Sequence, residues 1–208
     1  MAELLVVLGA GGHAKVVIEA ALARQPDRRI AIIDDDPAAQ DRNILGFRVS
    51  GTRVSLASNF PDAPVALGIG NNAARVMTLE ALLDLGRRIE TIVHPSAIVG
   101  NTVQIGAGSF LAAGSIITAD TAIGRGAIIN TAASVDHDCV IGDGAHIGPG
   151  ARLCGNVRIG DRTLVGVGSS VRPGIAIGAD VTIGAGSAVV CDLSDGQVYG
   201  GCPARPLR

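Results

Sequence analysis

From Val93 to Val189 every sixth residue is aliphatic, running through Val99, Ile105 and Leu111 to Val165, Ile177 and Ile183 with no break in the count. Glycine follows many of these positions, as in Ile105-Gly106, Ile123-Gly124, Ile141-Gly142 and Ile159-Gly160. A period of six is neither a helical face nor simple strand alternation. It is the hexapeptide repeat of a parallel β-helix. Each hexad supplies one short strand and one tight corner, and its aliphatic residue points inward to stack on equivalents in neighbouring coils. Corners favour Gly, Asn and Asp, which tolerate positive φ or close packing. Three sides make a coil of about 18 residues, so the run supplies roughly five or six coils.

Ahead of the repeats the pattern changes. Leu4 to Leu8 is an apolar run, followed by Gly9-Ala10-Gly11-Gly12-His13-Ala14 and a helical pattern carrying Val16, Val17, Ala20 and Ala21. Arg29 to Ile33 reads as a second strand, ending at Asp34-Asp35-Asp36-Pro37. This is a βαβ unit. Its glycine segment fits G-x-G-x-x-A, which brings backbone N–H groups and a helix N-terminus to a phosphate. Taken alone, the same glycines also fit a tight turn packed against its helix. Asp34 or Asp35 sits where an acidic residue meets a ribose hydroxyl. Val65 to Gly70 reads as a third strand, Ala73 to Arg87 as a helix with Val76, Leu79, Leu82 and Leu83 on one face, and Thr91 to Val93 as a last strand. A dinucleotide site needs two mononucleotide halves, and this region has room for one. A mononucleotide or nucleotide sugar is therefore expected at the strand ends, around Gly12, His13, Ala14, Asp34, Asp35, Gly70 and Asn71. The expected division is an α/β half-Rossmann-like domain over residues 1–92, a β-helix over 93–190 and a capping tail over 191–208.

Composition narrows the function. Hydrophobic residues make up 48% and charged residues 17%, and the formal net charge is −2. That gives no electrostatic footprint for nucleic acid or an anionic membrane. No apolar run has the length of a membrane span. The Met-Ala-Glu start, with an apolar stretch that stops at Gly9, does not read as a signal peptide. Cys139, Cys154, Cys191 and Cys202 lack metal spacing and a disulfide framework. Reduced thiols in a cytoplasmic protein are the expectation.

Within the repeats the polar segment Asn130-Thr131-Ala132-Ala133-Ser134-Val135-Asp136-His137-Asp138-Cys139 stands out, with a second histidine at His146. His137 has Asp138 as its direct neighbour, which can raise the imidazole pKa and fix its tautomer. A solvated corner residue is the alternative for His137, and left-handed corner duty for Asn130 and Asp136. His137 and His146 lie half a coil apart, so they leave opposite parts of the prism. A site using both must form between subunits, as three-fold packing of prisms provides.

The whole chain resembles the hexapeptide-repeat sugar acetyltransferases with an N-terminal nucleotide-sugar domain: the bacillosamine-type and perosamine-type N-acetyltransferases and the sialic-acid O-acetyltransferase relatives. The resemblance rests on the 9–14 turn, Asp34-Asp35, Gly68-Ile69-Gly70-Asn71, His94-Pro95-Ser96-Ala97, Asn130-Thr131, Asp136-His137-Asp138-Cys139 and Gly201-Cys202-Pro203-Ala204. It implies left-handed coiling, an exception to the usual crossover hand. It implies acetyl-CoA as co-substrate, no metal, and transfer to the amine of a nucleotide-linked 4-amino-4,6-dideoxy sugar. His137 would be the general base, Asp138 its tuner and Asn130 a holder of acceptor or base. His146 would meet the thioester and the Gly155 N–H the oxyanion, while Gly166, Gly184 and Arg205 would line the CoA path. A homotrimer with sites between subunits is implied. O-acetylation of a sugar hydroxyl is the competing enzymatic reading. A zinc site on His94, His137 and His146 lacks the close histidine pair such a centre needs. A bare scaffold leaves the polar segment unexplained.

Overall fold

The computed structural model describes residues 3–207. Strand β1 (Leu4–Leu8), helix α1 (Gly12–Arg24) and strand β2 (Arg29–Ile33) form the first βαβ unit. A hairpin of β3 (Asn43–Ile44) and β4 (Phe47–Arg48), a short helix α2 (Leu56–Asn59), strand β5 (Val65–Leu67) and helix α3 (Asn72–Asp84) complete the domain. Its main sheet is parallel, in the order β2-β1-β5. Leu5, Val6 and Val7 are fully buried, as expected where both faces of a parallel sheet are covered. The Ile92–Val93 segment, read from sequence as the domain's last strand, instead pairs with Phe110–Leu111 and opens the first coil of the prism. Its partner lies 18 residues ahead, so the repeat register claims it.

The prism has three sheets of six, five and eight strands, almost all of two residues and parallel except for Arg205–Pro206 at one edge. Rungs pair 18 residues apart, as in Ile117 with Val135 and Val135 with Leu153. The chain is thus a half-Rossmann-like α/β domain joined to a hexapeptide-repeat β-helix. Leu111, Ile117, Ile129, Val135 and Ile147 are completely buried in one aliphatic stack.

A second period of six runs two residues ahead of the first. Ser109, Ser115, Thr121, Ala127, Ala133, Cys139, Ala145, Thr163 and Ser169 are all buried. The hydroxyls close the corners: Thr121 Oγ1 donates to the Asp136 carbonyl at 2.9 Å and accepts from Cys139 N at 3.3 Å. Cys139 serves the same way, its Sγ lying 3.3 Å from the Cys154 carbonyl and 3.4 Å from Val157 N. It is therefore a corner residue.

Left-handed backbone recurs at a third six-residue position, including Gly108, Asp120, Gly126, Ala132, Asp138, Gly144 and Arg162. Asn130 and Asp136 do not occupy it, contrary to the corner alternative for them. Their side chains instead accept from the next backbone N–H, Thr131 N at 2.8 Å and His137 N at 2.9 Å. The tail continues the coil: Val198 pairs with Thr182, and Arg205–Pro206 folds back antiparallel on it. Leu193, Tyr199 and Ala204 extend the core there, so the tail caps the last coil.

The α/β domain docks along one prism corner. Gly108, Gly126 and Gly144 are stacked equivalents, and a Cβ on them would lie 2.9 Å from Ile89, 3.0 Å from Leu79 and 2.1 Å from Val76. The corner is glycine because α3 lies against it. One coil further on the equivalent is Arg162, whose carbonyl accepts from Asn72 Nδ2 at 2.8 Å.

Candidate active site

A cleft of about 370 Å³ opens at the carboxyl ends of β1, β2 and β5, lined by Gly9 to Gly11, Asp34, Asp35 and Gly68 to Asn71 among others. Gly9 has φ +115°, and a Cβ there would meet the Gly68 carbonyl at 2.7 Å. The N-termini of α1 and α3 both face this region, and helix N-termini favour anions. Asp34 receives Ala10 N at 2.7 Å and Asp36 N at 2.9 Å, so it braces the glycine turn. Asp35 is paired with Arg53. Asn71 caps α3 by accepting from Ala74 N at 2.9 Å. Gly12 is exposed at the start of α1. Ala14 is fully buried, and Gly68 is glycine because a Cβ would lie 2.9 Å from the Ala14 methyl. Its side chain packs α1 onto the end of β5, which leaves its backbone to meet any ligand.

Gly70 and Asn71 also line a second cleft, of about 320 Å³, with Ala73, His146, Arg162, Asp180 and Thr182. This ledge joins the nucleotide-type cleft to the prism. Above it His13 lies edge-on to Phe110, ring centroids 5.2 Å apart. Burial, with the positive charge of Arg75 and the neighbouring His146, pushes the His13 pKa down to about 3. Burial and Arg75 likewise bring His146 to about 4. Both are neutral imidazoles near pH 7. Asn130 fixes the His146 tautomer. The Asn130 Oδ1 is taken by Thr131 N, so the Asn130 Nδ2 faces His146 Nε2, 2.9 Å away. Nε2 must accept, which leaves the proton on Nδ1.

His137 stands at a different corner, over Gly155: a Cβ at Gly155 would lie 2.5 Å from the imidazole Cε1. Its Nδ1 is 2.8 Å from Asp138 Oδ2. A carboxylate accepts, so Nδ1 carries the proton and Nε2 is free to take another. The Asp138 hydrogen bond and the charge of Asp136 push the His137 pKa above the usual histidine range. Asp136 itself, bonded by His137 N and by Thr118 Oγ1 at 3.0 Å, is held below the usual carboxylate range. Beside this corner lies a groove of about 320 Å³ containing Ile116, Asp136, Arg152 and Cys154.

Within one chain the predicted residues thus form two groups. Asn130, His146, His13, Gly70 and Asn71 gather at the domain junction. His137, Asp138 and Gly155 gather at a prism corner. Gly166 is accounted for by coil stacking, since a Cβ there would lie 2.4 Å from the Ile183 carbonyl. Gly184 and the exposed Arg205 lie in the final coils and join neither group. His94 is bonded to Ser96 at 3.0 Å. Among the described residues no group of His, Cys, Asp and Glu gathers as metal ligands would.

Arg75 was missed by the sequence reading. It is 1% exposed, and all its donors are used: Nε to Gly126 O at 2.6 Å, one terminal nitrogen to Ile69 O and Gly70 O, the other to Asn72 Oδ1 and Gly144 O. A signal was present. Arg75 precedes Val76 and lies i−4 from Leu79, on the face of α3 that the apolar pattern turns inward.

An α/β domain with a cleft at its strand ends, docked on a repeat prism that carries a half-buried histidine at the junction and an exposed, carboxylate-paired histidine at another corner, defines a class of two-domain β-helix proteins. Residues 4–82 match the PglD N-terminal domain, residues 120–155 the bacterial transferase hexapeptide (six repeats), and residues 156–191 the hexapeptide repeat of succinyl-transferase. The acetyltransferase domain of PglB from Neisseria gonorrhoeae, solved with acetyl coenzyme A, is 39% identical with TM-score 0.94, covering 100% of both chains. A histidine variant of perosamine N-acetyltransferase from Caulobacter crescentus, solved with CoA and GDP-perosamine, is 41% identical with TM-score 0.92, covering 98% of this chain and 96% of that one. UDP-N-acetylbacillosamine N-acetyltransferase of Bacillus subtilis is 39% identical over 109 residues, 51% of this chain; the match spans 50% of that curated relative. The chain belongs to the family of hexapeptide-repeat acetyltransferases that carry a PglD-type N-terminal domain.

Proposed function

We propose that this protein transfers the acetyl group of acetyl-CoA to the amine of a nucleotide-linked 4-amino-4,6-dideoxy sugar, in a cytoplasmic glycan-building route. The observation that carries this reading is the continuity of the two clefts through Gly70 and Asn71. A nucleoside diphosphate in the first cleft, held by the helix N-termini, directs its sugar onto the ledge beside His146. The solved relatives holding acetyl coenzyme A, or CoA with GDP-perosamine, support the same pairing of ligands.

The two groups of residues meet only if a neighbouring prism supplies the other half. In a homotrimer, the His137 corner of one subunit faces the Asn130–His146 group of the next. His137 Nε2 takes the amine proton as nitrogen attacks the thioester carbonyl. The C–N bond forms, the C–S bond breaks, and the thiolate leaves as CoA. His146 donates from Nδ1 towards the thioester oxygen, and the Gly155 N–H offers a second donor. Preplaced donors of this kind contribute roughly 3 kcal/mol each.

Release of free CoA from acetyl-CoA, measured against a panel of UDP- and GDP-linked amino sugars, tests the proposal. Turnover on a 4-amino sugar is the expected result and names the nucleotide. Turnover only on sugar hydroxyls moves the reading to O-acetylation, and none on any sugar overturns it.

A further inference from the structure

One charge is buried at the junction of the two domains. Arg75 sits where α3, the glycine corner and the end of β5 meet, and its guanidinium spans both domains. Gly126 O and Gly144 O belong to the prism; Ile69 O, Gly70 O and Asn72 Oδ1 belong to the α/β domain. Every acceptor is neutral. A buried arginine normally finds a carboxylate, because removing a charge from water is costly even when its hydrogen bonds are made. Here the five N–H groups are satisfied while the charge is left uncompensated. Burial lowers the Arg75 pKa only to about 10, so the charge persists at neutral pH.

The peptide geometry around it has a direction. Arg75 draws the carbonyls of Ile69 and Gly70 to itself at 3.1 Å and 3.0 Å. In a trans peptide the C=O and N–H of one unit point opposite ways. The N–H groups of Gly70 and Asn71 are therefore turned away from Arg75, and both residues line the nucleotide-type cleft. The same guanidinium fixes the prism side of the junction, at the Gly144 corner of the His146 coil and at the equivalent Gly126 corner one coil before it.

We propose that Arg75 is a positioning residue that registers the nucleotide cleft against the acetyl-transfer face: it aims the Gly70 and Asn71 amides at the diphosphate, and its unpaired charge is completed by that anion. The proposal rests on the function proposed above and adds to it a residue that touches neither reacting group. A second consequence falls on His146. The groups around that imidazole are Asn130, His13 and Arg75 on the junction side and Arg162 and Asp180 on the ledge. Arg162 and Asp180 pair with each other at 2.6 Å. Arg75 is left as the charge that opposes protonation of His146.

Arg75→Lys and Arg75→Met in the full chain test this. Lysine keeps the charge but cannot reach five acceptors in a fixed fork. It is expected to raise KM for the nucleotide sugar about tenfold or more, to weaken UDP or GDP binding in calorimetry by a similar factor, and to leave KM for acetyl-CoA within about twofold. The His146 imidazole, followed by nitrogen NMR, then still protonates at the wild-type pH. Methionine removes the charge as well, and protonation of His146 moves upward by about one pH unit or more. Unchanged nucleotide affinity in folded Arg75→Lys overturns the proposal, as does loss of kcat alone with both KM values intact. If Arg75→Met does not fold, the KM split and calorimetry of Arg75→Lys decide. A wild-type protein that binds neither UDP nor GDP defeats the functional reading; an unmoved His146 in Arg75→Met defeats the Arg75 argument separately.

Discussion

At the prism corner the imidazole of His137 stands in water, 60% exposed, with a carboxylate on its Nδ1. At the domain junction His146 lies under another domain, with Asn130 on its Nε2 and the Arg75 charge nearby. One imidazole is pushed up and the other down to about 4. The tautomers are the same, yet the free atoms differ: His137 presents an acceptor at Nε2, and His146 presents a donor at Nδ1. A reaction that needs one proton acceptor and one donor to an oxyanion finds both, provided the two regions meet across subunits. The difference teaches that burial and a neighbouring charge, more than residue type, divide the work between two histidines on one repeat.

Mutating the two sites separately produces the largest expected effect. His137→Ala lowers kcat by about 10²–10⁴-fold and leaves the melting temperature unchanged, because the side chain is exposed. His146→Ala lowers kcat by about 10²-fold and also lowers the melting temperature, since it strips Asn130 of its partner. If the site is shared between subunits, refolding the two variants together in equal amounts restores about one quarter of sites. Mixed protein that stays as inactive as either parent places both histidines in one subunit's site and breaks the comparison.

Acid titration of stability sharpens the comparison from the buried side. His146 and His13 titrate near 6.5 in the unfolded chain and at about 4 and about 3 in the folded one. Between those values the unfolded state binds more protons, so stability is full above pH 6.5 and falls as pH drops towards 4 and then 3. Urea unfolding at stepped pH measures the slope. His13→Leu should make it shallower, and wild-type stability that is level from pH 7 to pH 4.5 contradicts the buried neutral assignment.

The prism was legible because its physics is periodic. One aliphatic residue in six must point inward, and all positions from Leu111 to Val189 do. The second register, from Ser109 through Cys139 to Ser187, was equally periodic but mixed in chemistry, so hydrophobicity alone hid it. His137 with Asp138 was readable because the partner is the next residue. The grouping of Asn130 with His146 depends on a coil dimension that spacing only approximates. The glycine motif does not say which of its members packs through its side chain, as Ala14 does. Arg75 carried only its place on the inward face of α3 as a signal, because four of its five acceptors are backbone carbonyls, as far away in sequence as Gly144, and carbonyls leave no sequence mark.

The smallest expected effect concerns how Asp138 tunes His137. Asp138 is the first cause of the raised His137 pKa. In the wild type the neutral base accumulates only as pH rises through that raised value, so the limb of the kcat profile lies at higher pH. Asp138→Asn keeps a hydrogen-bond acceptor at Nδ1 but removes its charge. The limb should then move to lower pH, while the high-pH plateau falls a few-fold, about as expected for a weaker base. The two profiles converge or cross on the acid side, where the variant holds the larger neutral fraction. A uniform drop at every pH would mean that Asp138 orients the ring without tuning it. An unmoved profile would mean that a group from the neighbouring subunit, and not Asp138, sets the basicity of His137 in the assembled site.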